Sequence, residues 1–212
     1  MFDQYHEPRK RANAGPRPNV PDAAAGAETE RDPAACEQGT GSEVAVLSRV
    51  EAFDRHCARW VAAHRRPALN TLFVLGSHSG QMGIPWSALL VLLRWRAREG
   101  DRLRVLRGLA ITVGTWGAAH AIKRLDHRRR PCQNGDDTPL VDCPKSSSLP
   151  SDEAACAFAA ASYAAHRLPR LTAPLYLGAV FTAASRVYVG VHYPTDVAAG
   201  ALLGAMIARA LS

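Results

Sequence analysis

Apolar and polar positions fall into blocks along the 212-residue chain. From Val44 to Val61, the residues Val44, Leu47, Val50, Phe53, Cys57 and Trp60 recur at spacings of three and four, with Glu51, Asp54, Arg55 and Arg59 on the other side. That spacing predicts an amphipathic helix, too charged to cross a bilayer and suited to an interface or to a core. Leu69–Leu93 then runs 25 residues with no acid or base except His78, and Arg94 closes it. A helix of that length crosses a hydrocarbon layer of roughly 30 Å, tilted or broken near Gly76–Pro85. Four further apolar stretches follow: Gly108–Ile122, Ala154–Ala165, Leu171–Ala184 and Val197–Ala208. The last holds Gly200 and Gly204, a GxxxG pair that permits close helix contact.

Several of these stretches are shorter than the roughly 20 residues of a straight crossing. Each alone fits a buried helix of a soluble bundle, which is the alternative reading. Together they leave little polar surface for solvent, and they predict an all-α, integral membrane bundle of about five to six helices over residues 44–212. Residues 1–43 are rich in Ala, Gly, Pro and charge, with Pro8, Pro16, Pro18, Pro21 and Pro33 breaking any helix. They predict a disordered tail without the pattern of a secretory signal.

Charge divides along the same boundary. Of 26 Lys+Arg and 19 Asp+Glu, residues 1–43 carry five and eight, leaving 21 bases and 11 acids in the body. A basic body suits nucleic acid, an anionic membrane or a phosphorylated substrate. Arg128–Arg130 in isolation resembles a nucleic-acid patch, but Asp126 and the acids Asp136, Asp137 and Asp142 around it make it one wall of an anion site. No nucleic-acid partner is expected. The basic turns Arg94–Arg107 and His166–Arg170 fit the cytoplasmic side, which places Lys123–Lys145 outside, its bases kept for an anion. The cysteines show no metal-ligand spacing. Cys132 and Cys143 flank one polar loop and would bridge if it faced an oxidising compartment; ordinary free thiols are the alternative.

Three polar clusters sit at the ends of apolar helices, and helices alternating in direction place them on one face. The first is Lys123 with Arg130-Pro131, the second Ser146 to Glu153, and the third Ser185-Arg186 with His192 and Asp196. Lys123, Arg130 and Arg186 supply cationic donors for the oxygens of a phosphoryl group. Ser151 lies at a helix N-terminus, where a hydroxyl and free N–H groups add donors. Among the histidines, His192 alone has an acid one helical turn on, Asp196, which can fix its tautomer and leave the other nitrogen to attack phosphorus. His120 is a further candidate for the pocket wall, with a satisfied buried histidine as the alternative.

These clusters resemble the signature of the type 2 phosphatidic acid phosphatase (PAP2) superfamily, K-x6-RP, PSGH and SR-x5-H-x3-D. Lys123, Arg130 and Pro131 match the first part, and Ser185, Arg186, His192 and Asp196 complete the third, within a resemblance covering roughly residues 50–210. The stretch Ser185–Gly200 is similar to small actinobacterial members. The resemblance implies a PAP2/haloperoxidase-like helical core and a phosphohistidine formed on His192 with Asp196 as its partner. It also implies phosphate binding by Lys123, Arg130, Arg186 and Ser151, with no cofactor or metal.

The middle motif departs from the family, reading Pro150-Ser151-Asp152-Glu153. Asp152 has a counterpart in the bacitracin-resistance type of undecaprenyl diphosphate phosphatase, which resembles PSDH there. Glu153 replaces the histidine that protonates the leaving group. Either Glu153 is the acid, or the leaving group needs little help, or chemistry is lost. A diphosphate leaves as a lipid monophosphate and needs the acid least, so an isoprenoid diphosphate is the preferred substrate. Glu153 would then act as base on the water that hydrolyses phosphohistidine. The expectation is a bacterial, multi-pass membrane lipid phosphatase with its site facing outward. The alternatives are a catalytically silent protein binding a phospholipid or partner, a phosphatidic acid or phosphatidylglycerophosphate phosphatase, and a vanadate-dependent haloperoxidase.

Overall fold

The structure is a computed structural model that describes residues 34–79, 84–96 and 102–212. Among the described residues, eight α-helices follow in chain order: α1 (Ala34–Ala63), α2 (Pro67–Ser79), α3 (Ile84–Arg96), α4 (Arg102–Leu125), the single turn α5 (Pro131–Asn134), α6 (Asp152–Arg167), α7 (Thr172–Tyr188) and α8 (Pro194–Leu211). The fold is all-α. Residues 41–212 make one compact unit.

Alanine explains why α6 is the central helix. Its buried residues include Ala154, Ala155, Ala157, Ala159, Ala160, Ala161 and Ala164, whose side chains are short enough for neighbours to approach on several faces. Trp86 and Leu90 of α3 and Leu175 and Ala179 of α7 close on one face of it. Ile111 of α4 and Ala208 of α8 join Ala159 and Tyr163 on another. On α8, a Cβ at Gly200 would stand 2.2 Å from the Ser151 carbonyl oxygen, and one at Gly204 would stand 2.0 Å from that of Ala155. The GxxxG pair is therefore a backbone-to-backbone contact, as its spacing predicts.

Four of the expected helices stand where the pattern places them, and the helix expected from Val44 changes. The run Leu69–Leu93 is divided between α2 and α3, the broken form that its sequence allows; the residues between them, 80–83, lie outside the described residues. The helix expected from Val44 begins at Ala34, and residues 1–33 of the expected tail lie outside the described residues. Its sidedness is also reversed at one position. Asp54 is fully buried, whereas Leu47, Phe53 and Trp60 are 64%, 56% and 57% exposed.

Large apolar side chains face outward elsewhere too. Leu72 and Leu75 of α2, Val91 and Leu92 of α3, Leu177 and Val180 of α7, and Leu202 and Met206 of α8 are all exposed. Charged and hydroxyl residues fill much of the interior instead. A water-soluble bundle would hide the first set and expose the second. Among the described residues, α8 alone is long and apolar enough to cross a membrane by length and composition, with a mean hydropathy of 1.2 over its 18 residues.

Candidate active site

The polar interior gathers at one end of α4, α6, α7 and α8. Lys123 comes from the last turn of α4 and Arg186 from the last turn of α7. Arg130 caps α5, and Ser151 caps α6 with its Oγ accepting from the Ala154 N–H at 3.4 Å. The reversal between α7 and α8 passes through Gly190 at φ 84°, a left-handed conformation that glycine adopts without strain. There the His192 N–H donates back to the Arg186 carbonyl at 3.3 Å, which turns the imidazole inward. Asp196 then falls in the first turn of α8.

All three expected cations are buried here. Arg130 donates from Nε to the Ser146 carbonyl at 3.0 Å and from Nη2 to Ser146 Oγ and the Ser147 carbonyl at 3.1 Å. Its Nη1 reaches the Val191 carbonyl and His192 Nε2, both at 2.9 Å. A guanidinium only donates, so Nε2 is the acceptor and the ring proton is assigned to Nδ1. Nδ1 faces Asp196 Oδ2 at 3.7 Å. The expected His192–Asp196 partnership is thus an electrostatic one at this distance, not a short hydrogen bond. Burial pushes the imidazole down to about 3; Arg130, Arg186 and Lys123 push the same way, and Asp196 opposes them. A neutral imidazole with an unprotonated Nε2 is the form that can attack phosphorus.

The middle motif holds the other two cations. Lys123 Nζ donates to Asp152 Oδ1 at 2.6 Å, and Arg186 Nη2 pairs with Glu153 Oε1 at 2.8 Å. The other Glu153 oxygen lies 3.7 Å from His192 Nε2 and 3.4 Å from Ser151 Oγ. Arg186 also donates to the hydroxyl and carbonyl of Ser77 on α2. The two carboxylates therefore stand beside the cations that phosphoryl oxygens would need, making like-for-like ionic contacts that an incoming phosphate could replace. His120 lies at the margin, Nδ1 3.6 Å from Asp152 Oδ2, with its ring tilted against that of Trp116 at a centroid distance of 4.2 Å.

Asp152, Glu153 and His192 bring donor atoms within 4.8 Å of one another, a grouping that could hold a metal ion among the described residues. Lys123, Arg186 and Arg130 already engage those donors. The set is matched to the protein's own cations, and a further positive ion would meet all three of them.

Three residues that the sequence did not connect with Asp196 stand behind it. Ser148 Oγ donates to Asp196 Oδ2 at 2.5 Å, and Arg128 Nη1 donates to Oδ1 at 2.6 Å. Arg128 also holds the buried Asp54 of α1. Burial disfavours the Arg128 charge, but Asp196 and Asp54 outweigh it and hold the guanidinium above its usual range. Arg128 is thus an internal strut, not the open anion wall its arginine-rich context suggests. The available signal was position: Arg128 lies within the K-x6-R interval and Ser148 two residues before Pro150. Cys132 and Cys143 are bridged across the loop that carries Arg130 towards Ser146.

A family model described as the PAP2 superfamily matches residues 103–212. The chain is 36% identical over 135 residues to decaprenylphosphoryl-5-phosphoribose phosphatase of Mycobacterium tuberculosis, covering 62% of this chain and 72% of that protein. Among solved structures it resembles the transmembrane PAP2-type phosphatidylglycerolphosphate phosphatase of Bacillus subtilis, with a TM-score of 0.64 and 25% identity over 77% of this chain and 84% of that one. Aquifex aeolicus LpxE is similar, with a TM-score of 0.65 and 26% identity over 75% and 94% of the respective chains.

Proposed function

The chain belongs to the PAP2 superfamily, and from that membership we propose a membrane lipid phosphatase that hydrolyses an isoprenoid-linked phosphate through a phosphohistidine on His192. One observation carries the proposal: Nε2 of the buried His192 accepts from Arg130 at 2.9 Å, beside Arg186 and Lys123, so its lone pair points at the cations, and Arg130 releases it for attack on turning to a phosphoryl oxygen. Nε2 attacks phosphorus in line; the P–N bond forms as the bond to the leaving oxygen breaks. Lys123, Arg130 and Arg186 take the charge of the equatorial oxygens, assisted by Ser151. Asp196 favours the positive charge that the ring acquires. Water then attacks phosphorus as Glu153 takes its proton; the P–O bond forms as the P–N bond breaks, phosphate leaves and Nε2 recovers its electron pair.

A terminal diphosphate is the preferred substrate, since a lipid monophosphate leaves without a proton from Glu153. A second reading is favoured by the Mycobacterium tuberculosis relative, whose name places the phosphate on a ribose joined to decaprenyl phosphate. A phosphosugar of that kind leaves as an alkoxide, and Glu153 would have to carry the proton for it. Residues 44–212 form the membrane-embedded domain and 1–43 a tail in this reading, and the bundle crosses the bacterial cell membrane several times. The outward-facing apolar side chains support the crossing. The Cys132–Cys143 bridge supports an extracytoplasmic site, because such bonds persist in oxidising compartments.

The deciding experiment measures phosphate release by the detergent-purified protein beside His192→Ala. The panel holds a polyprenyl diphosphate, a polyprenyl monophosphate, a prenyl-linked phosphoribose and phosphatidic acid. Release from the diphosphate, lost in the variant, supports the preferred reading; release chiefly from the phosphoribose moves the substrate to the second. No release from any of them by folded protein would overturn the phosphatase assignment.

A further inference from the structure

We infer that Asp54 of α1 is a positioning residue for the nucleophile, acting through Arg128 on Asp196; the inference rests on the phosphohistidine reading above. Asp54 lies outside every motif and on a helix whose large apolar side chains face outward, yet it is fully buried. Its carboxylate accepts from Arg128 Nη2, from Thr195 Oγ1, and from the Thr195 N–H at 3.2 Å. Arg128 turns its other nitrogen, Nη1, to Asp196 Oδ1 at 2.6 Å and to Thr195 Oγ1 at 2.8 Å. The guanidinium carbon stands 4.9 Å from the centre of the Tyr193 ring. The second Asp196 oxygen accepts from Ser148 at 2.5 Å and from the Tyr193 N–H at 2.8 Å, and it faces His192 Nδ1. Asp54, Arg128 and Asp196 thus form one line of alternating charge ending at the ring.

Charge balance gives that line its purpose. Two carboxylates and one guanidinium leave a net charge of about −1 behind His192. Without Asp54, the whole Arg128 charge falls on Asp196 and cancels its field at the ring. Without Arg128, two buried carboxylates share one site, which is strongly unfavourable. The ring becomes cationic as phosphorus bonds to Nε2, so the net negative charge behind Nδ1 assists the step. Asp54 therefore keeps Asp196 both in place and effectively anionic. Lys123, Arg130, Arg186, Asp152, Glu153 and His120 face the ring or the pocket from the opposite side and are unchanged by substitutions at Asp54.

A salt bridge that merely staples α1 to the bundle makes different predictions, and a charge-balance cycle separates the two. The variants are Asp54→Asn, Arg128→Gln and their combination, with Glu51→Gln on the exposed side of α1 as the control. The readouts are kcat and KM for farnesyl diphosphate in detergent, the pH profile of kcat, and the ring ¹⁵N resonances of His192. Asp54→Asn should lower kcat by about tenfold or more at little changed KM, and move both the pH profile and the ¹⁵N resonances. The combined variant restores the net charge and should exceed Arg128→Gln in kcat by about tenfold. Folded Asp54→Asn with wild-type kcat, pH profile and resonances would overturn the inference, as would a combined variant no better than Arg128→Gln. That second comparison stands even if Asp54→Asn does not fold. A wild type that hydrolyses nothing would defeat the phosphatase reading instead, and the ¹⁵N measurement would still decide the positioning of His192.

Discussion

The two nitrogens of His192 look onto differently built surroundings. Behind Nδ1, both Asp196 oxygens are held by Ser148, the Tyr193 N–H and Arg128. Those contacts come from the protein alone, and nothing in catalysis needs to replace them. In front of Nε2, Lys123 and Arg186 are paired with Asp152 and Glu153. Here the carboxylates stand where phosphoryl oxygens would make the same contacts. One side is a fixed support; the other is a set of exchangeable ion pairs. A buried cation needs a partner at every stage, and the middle motif supplies one until substrate arrives.

The comparison breaks first at the ring itself. His192→Ala should cut phosphate release by about 10⁴-fold or more and abolish acid-labile phosphoenzyme, read by ³²P trapping. The two sides should then separate kinetically. Arg186→Ala should cost about 10²–10³-fold in kcat/KM and raise KM, because the proposed mechanism gives it a phosphoryl oxygen to hold. Asp196→Asn should lower kcat by a similar factor while KM holds, because its contact is with the ring. Equal effects on both constants would erase the distinction.

Glu153→Gln sharpens the exchangeable side. Removing the carboxylate charge beside Arg186 should tighten orthovanadate binding by about tenfold, measured by calorimetry, while turnover falls. Unchanged affinity would mean that Glu153 does not compete for the anion site. The fixed side depends on how closely α8 approaches α6. Gly204→Ala places a methyl group against the Ala155 carbonyl and should cost about 1–3 kcal/mol, read as a lower Tm.

Another effect is expected on pH. With the His192 pKa lowered to about 3 in the folded protein, against about 6.5 unfolded, neither state holds the proton above pH 6.5, and stability from this group is flat there. Between pH 6.5 and 3 the unfolded chain binds the proton and the folded one does not, so stability falls as pH falls. Comparing the Tm of wild type with that of His192→Gln over pH 4–8 checks the sign; the difference should be constant above pH 6.5 and change only below it.

Much of this arrangement was legible without coordinates. Apolar runs marked α4, α6, α7 and α8, because a long hydrophobic stretch has few other ways to satisfy its backbone. Gly200 and Gly204 marked the close contact, and the spacing of Lys123, Arg130, Arg186, His192 and Asp196 marked the chemistry, because one helical turn or one loop fixes each interval. What stayed hidden were relations between distant segments. The pairing of Glu153 with Arg186 crosses from α6 to α7, so reading PSDE alone could not tell an acid catalyst from a counterion. Asp54 was placed on the polar side of α1 by its chemical type, since amphipathic periodicity assumes that polar residues face out. A partly buried guanidinium 74 residues away reverses that assumption. Sequence determined which residues could do phosphoryl chemistry; tertiary structure decided which charges each would meet, because a buried charge is placed by its partners and not by its neighbours in the chain.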